Sequence, residues 1–98
     1  MTINKIKNGS SLTLAVAGRL ETLTAPELEN VIKEELAGIT DLVFDLSALE
    51  YISSAGLRVL LVAQKIMNRQ GKMKVIGANE IVLEVLEVTG FTDILTIE

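Results

Sequence analysis

The period of the apolar residues changes along this chain, and that change restricts its fold more than any other feature. From Ser11 to Ala17 every second residue is a large apolar one, Leu12, Leu14 and Val16, the pattern of a half-buried strand. From Leu28 onward the spacing becomes three and four, through Val31, Ile32 and Leu36, the stripe of an amphipathic helix. Asp41-Leu42-Val43-Phe44-Asp45-Leu46 then gives a short apolar run between polar residues, as in a buried central strand.

Local signals punctuate these segments. Ile3 to Lys7 is expected to pair with the Ser11–Ala17 strand through Asn8-Gly9, a favoured hairpin dipeptide. Thr24 followed by Glu27 predicts a capping box, with Leu23 and Leu28 in the two staple positions and Pro26 in the first turn, where it loses no helical hydrogen bond. Gly38 is the expected stop. A second helix is predicted over about 55–70, closed by Gly71, and a strand over Met73–Ile76. Asn79 caps a third helix reaching about Thr89, closed by Gly90, with Phe91 placed to fold back on it. Residues 94–97 form a short last strand or a turn.

The order β-β-α-β-α-β-α predicts an α/β fold. The sheet is mixed: an antiparallel opening hairpin, parallel later strands, and helices mainly on one face. The 98 residues suit one domain spanning 1–98, long enough for a core without disulfides or metals.

Composition removes several functions. The chain has no cysteine and no histidine, so there is no thiolate nucleophile and no cysteine or histidine metal site, and the usual general base is missing. No phosphate-binding Gly-rich loop with its lysine is present. No catalysis, cofactor or metal is expected. The net charge of −4 and only three aromatics, Phe44, Tyr51 and Phe91, argue against a nucleic-acid partner. The N-terminus lacks the apolar stretch of a signal peptide, and the densest apolar run, Leu57 to Ala63, is interrupted by Arg58 and too short to enter a bilayer as a span. The absence of cysteine fits a cytoplasmic setting.

One segment carries chemistry. In Asp45-Leu46-Ser47-Ala48-Leu49-Glu50-Tyr51-Ile52-Ser53-Ser54-Ala55-Gly56-Leu57-Arg58 a buried strand ends, a loop crosses, and two serines arrive where a helix begins. A serine there either caps the helix with its side-chain oxygen or offers a hydroxyl where free amides and the helix dipole favour a phosphate. Gly56 permits close packing. Arg58, Val62, Lys65 and Arg69 share one face of this helix by spacing, a basic stripe suited to an acidic partner or simply to solvent.

These residues resemble the STAS-domain family, in particular its anti-sigma factor antagonist branch. The resemblance runs through Val16-Ala17-Gly18-Arg19-Leu20-Glu21, Thr24-Ala25-Pro26 and Asp45-Leu46-Ser47. It is strongest at Tyr51-Ile52-Ser53-Ser54-Ala55-Gly56-Leu57 and closes with Val88-Thr89-Gly90-Phe91. It implies a mixed sheet with helices on one side. It also implies that the unmodified domain binds an anti-sigma factor, often itself an ATP-using serine kinase, and so releases a sigma factor. Phosphorylation at the start of the second helix weakens that complex, and a phosphatase restores it.

The motif's acceptor falls on Ser54. The preceding position, often aspartate in the family, is Ser53 here, a second candidate acceptor. A loop acid aligns with Glu21. By this resemblance Glu21, Thr22, Thr24, Ser53, Ala55, Gly56, Arg58 and Val62 are the expected partner contacts, on a monomer that forms transient complexes. The family's other implied role is a docking subunit of a membrane transport complex, without phosphorylation.

Overall fold

The alternating segment becomes the longest strand of the sheet, and every other strand is placed relative to it. In the computed structural model, which describes residues 1–98, β1 (Thr2–Asn8) and β2 (Ser11–Leu20) form an antiparallel hairpin. After α1 (Ala25–Glu35), β3 (Asp41–Asp45) pairs parallel with the first half of β2, from Ser11 opposite Asp41 to Ala15 opposite Asp45. β4 (Leu49–Ile52) pairs parallel with the end of β2, from Gly18 to Leu20. α2 (Ser54–Gln70) leads to β5 (Lys72–Ile76), which lies parallel to β3. α3 (Glu80–Val88) and a 3₁₀ turn at Phe91–Asp93 complete the order.

β4 replaces the loop expected between the central strand and the second helix. It exists because β2 changes partner. The register shifts between Gly18 and Arg19, and Gly18 takes a left-handed φ of 94°, a conformation that costs glycine little. Gly18 N–H donates to Ala48 O at 3.0 Å, so the bulge is where β4 joins. The final segment adds a single parallel bridge, Ile97 to Val75, which resolves the expected strand or turn.

Strand alternation separates the two faces of the sheet. Leu12, Leu14 and Val16 of β2, Leu42 and Phe44 of β3, and Met73 and Val75 of β5 are buried. Their neighbours Thr13, Ala15, Val43, Asp45, Lys74 and Ile76 remain partly open. The helices cover the buried face with Leu28 and Ile32 from α1, Leu57, Leu60, Ala63 and Met67 from α2, and Val82 and Leu86 from α3. Each such leucine or isoleucine contributes about 1.5–3 kcal/mol by leaving water, and this face holds the sheet together.

The helix ends differ in how they are made. Asn79 caps α3 as expected: its Oδ1 accepts Val82 N–H at 2.8 Å, and its Nδ2 donates to Leu49 O at 2.9 Å, tying α3 to β4. The capping box at α1 does not form. Thr24 Oγ1 turns backwards, accepting Glu21 N–H at 2.9 Å and donating to Arg19 O at 2.8 Å. Leu23 is 86% exposed, so it makes no staple with the buried Leu28. Gly71 ends α2 in an extended conformation, φ 175°. Glycine is needed there because a Cβ would collide with the Thr40 carbonyl.

Candidate functional site

Two chain crossings meet at one end of the sheet. Leu20 lies opposite Ile52, and the ladder continues one step further as Ser53 N–H donates to Leu20 O at 2.9 Å. Glu21 follows Leu20 directly, so the loop from Glu21 to Thr24 is set beside the start of α2. Thr24 holds that loop in shape through its bonds to Glu21 and Arg19. Arg19 pairs with the Glu21 carboxylate at 3.4 Å, and its guanidinium lies 4.6 Å from the centre of the Tyr51 ring. At an exposed site each contact contributes at most about 1 kcal/mol. Together they give the loop a charged, ordered rim.

Ser54 opens α2 and is exposed. Ser53 occupies the cap position with φ −101° and ψ 178°, but its side chain caps nothing. Its Oγ is buried without a hydrogen-bond partner. In this conformation the Ser53 hydroxyl faces inward, whereas Ser54 is exposed. No acidic residue stands in the first turn of α2, so the dipole at Ser54 is uncompensated and favours an added anion.

Gly56 is buried, and a Cβ on it would lie 2.7 Å from Leu20 Cγ and 2.8 Å from Ile52 Cγ1. The glycine therefore lets α2 settle onto the ends of β2 and β4. It sets the height of Ser54 above the sheet, and its own close neighbours are Leu20 and Ile52.

Two shallow hollows flank the start of α2. One, about 180 Å³, lies towards α1 and is lined by Thr22, Pro26, Glu29, Ala55 and Arg58 among others. The second, about 310 Å³, lies towards the end of α3 and is lined by Ser54, Leu57, Arg58, Leu61, Thr89 and Phe91. Arg58 borders both and makes no ion pair within 4.0 Å. Val62 is not part of this end. It borders a separate hollow with Lys65, Ile66, Arg69 and Gln70, further along α2.

The structure thus brings Glu21, Thr22, Ser54, Ala55 and Arg58 together. Gly56 is buried, Thr24 and Ser53 are half-buried, and Val62 stands apart along α2. Leu23, with its side chain in solvent beside Thr22, was missed as a surface residue. Its sequence position matches a staple, and only the tertiary bonds of Thr24 turn it outward. No group of three acidic, histidine or cysteine side chains converges anywhere.

The family model described as STAS domain matches residues 2–98. The chain belongs to the STAS family. A Bordetella bronchiseptica protein named as an anti-sigma factor antagonist, BtrV, is 35% identical to this STAS domain, over 99% of this chain and 84% of its own length. An anti-sigma factor antagonist from Mycobacterium paratuberculosis has a solved structure that superposes with a TM-score of 0.87 at 24% identity, covering 98% of this chain and 83% of that one. The phosphorylated form of the Bacillus protein SpoIIAA shares the STAS fold with a TM-score of 0.69 at 11% identity, covering 99% and 91%. No helix of this STAS domain is long and apolar enough to cross a membrane.

Proposed function

We propose that this STAS domain is an anti-sigma factor antagonist switched at Ser54. The supporting observation is the exposed Ser54 hydroxyl at the uncompensated N-terminus of a 17-residue helix, beside a loop that presents Glu21, Thr22 and the solvent-facing Leu23. The relatives' names support the antagonist role. In the unmodified state this end docks on an anti-sigma factor and displaces its sigma factor. The same partner, acting as a serine kinase, transfers the γ-phosphoryl of ATP to Ser54 Oγ, and ADP and the hydroxyl proton leave.

The phosphoryl group adds about −1.5 to −2 charge in the middle of the docking surface and weakens the complex without refolding the domain. A phosphatase hydrolyses the ester and restores binding. The nucleotide belongs to the partner, so this chain is substrate and ligand, not catalyst. It acts in the cytoplasm, monomeric between encounters, without nucleic acid.

The test is intact-mass measurement with fragment mapping on protein taken from its own cells in growth and under stress, with the bound proteins identified. One phosphoryl group on Ser54 in part of the population, together with an anti-sigma factor bound to the unmodified form, is the expected result. Unmodified protein in every condition, co-purifying with transporter components, overturns it in favour of a docking subunit of a membrane transport complex.

A further inference from the structure

Arg58 stands one helical turn after Ser54, and both border the same hollow. Residues four apart on a helix are surface neighbours, and the order anion first, cation second is the favourable one. Long side chains on a helix also lean back over the preceding turn, so the guanidinium of Arg58 is directed towards the turn that carries Ser54. It is exposed and unpaired. The other charged groups near it are few. Glu29 of α1 lines the opposite hollow and already pairs with Lys33 at 3.9 Å. Glu21 of the β2–α1 loop is held by Arg19. The α3 side of the Ser54 hollow contributes Thr89 and Phe91, and neither carries a charge.

We infer that Arg58 is the residue that reads the modification within this chain: a phosphoryl group on Ser54 draws the guanidinium back one turn into a charge-assisted pair. A phosphate oxygen pair matches the fork of an arginine and carries nearly twice the charge of a carboxylate. Arg58 has no competing ion pair to give up, and Glu29 is already engaged by Lys33. The modification then acts twice on the docking end. It places an anion at Ser54 and withdraws the one free cation that bordered both hollows.

This rests on Ser54 being the modified residue, and the test separates the two claims. Phosphoserine is installed at position 54 during translation, so the pair is examined whether or not any kinase acts there. Phosphorus NMR then follows the second phosphate ionisation, ordinarily near about pH 6, in the parent sequence and in Arg58→Gln, Arg58→Lys and Glu29→Gln. The helix dipole acts equally on all four and cancels.

The expected result is a pKa about half a unit higher in Arg58→Gln than in the parent, the size of an exposed ion pair. Arg58→Lys falls between them, and Glu29→Gln stays close to the parent, because Glu29 pairs with Lys33 and not with Arg58. The Arg58 Nε–Hε signal of the parent shifts along the same titration curve. Coincident curves for the parent and Arg58→Gln, or an Arg58 signal indifferent to the phosphate, overturn the inference. Absence of Ser54 phosphate from native cells removes the proposed switch and leaves this pair untouched.

Discussion

Replacing Gly56 with alanine puts one carbon where the structure has no room for it. The added Cβ stands 2.7 Å from Leu20 Cγ and 2.8 Å from Ile52 Cγ1, whereas carbon atoms in contact settle at about 3.5–4.0 Å. Both neighbours are fully buried, and the clashing atoms lie near their backbones, so neither side chain can simply rotate its tip away. Overpacking of this kind costs about 1–3 kcal/mol. Alanine returns about 1 kcal/mol through its better helix propensity. The upper half of the clash range applies, which leaves a net loss of about 1–2 kcal/mol. Urea unfolding measures this directly. A thermal melt should fall by about 4–8 °C per kcal/mol for a domain of this size. The substitution also lifts the first turn of α2, so partner affinity should fall even where the variant remains fully folded. A Gly56→Ala protein that melts at or above the parent temperature refutes the packing argument, because propensity alone would then decide.

Three further outcomes follow from the same geometry. Asn79→Ala removes both the Val82 cap and the bond to Leu49 O and should cost about 1–2 kcal/mol in urea unfolding. Leu23→Ala should leave stability within about 0.5 kcal/mol, since the side chain is in solvent, yet lower affinity for the anti-sigma partner in a calorimetric titration. At Asp45 the Ser47 hydroxyl and the Ser47 N–H, the latter at 3.0 Å, hold the carboxyl below its usual pKa. A lowered folded-state pKa contributes stability that is present above the unfolded value near about 3.9 and is lost as the pH falls through the folded value. Asp45→Asn should therefore flatten the stability–pH curve below about pH 4 and leave its shape at neutral pH unchanged, as read from urea midpoints at a series of pH values.

The sequence revealed those elements whose patterns are local and long. The alternation of Leu12, Leu14 and Val16, the Leu28–Leu36 stripe, and the Asn79 and Gly90 ends of α3 all rest on neighbours in the chain, and they stand where the pattern put them. β4 did not show itself. Its four residues Leu49–Ile52 are too few to display a period, and their partner is the tail of β2 about thirty residues earlier. Thr24 and Leu23 carried a valid local signal that a tertiary need overrode: the turn out of β2 left Glu21 N–H and Arg19 O requiring partners, and the threonine hydroxyl served both. At the site, helix-start chemistry marked the pair Ser53 and Ser54 without choosing between them, the family resemblance pointed to Ser54, and spacing put Arg58 one turn on. The Arg19–Tyr51 contact and the burial of the Ser53 hydroxyl depend on how two distant crossings meet.

The way β2 shares its partners has a consequence for the order in which the chain folds. The hairpin with β1 closes over a two-residue turn at Ser10 and Gly9, a microsecond event. The three parallel pairings all join residues about thirty apart, Leu12 with Leu42, Leu20 with Ile52 and Leu42 with Met73, and loop-closure entropy barely distinguishes them. No crossover has a head start by length alone. β2 takes part in two of the three, so once it is docked, two closures share one surface. The transition state should therefore be centred on β2 and the helices that cross from it. Truncation of Leu14 would slow folding, while changes in β1, held on one side only, would mainly hasten unfolding.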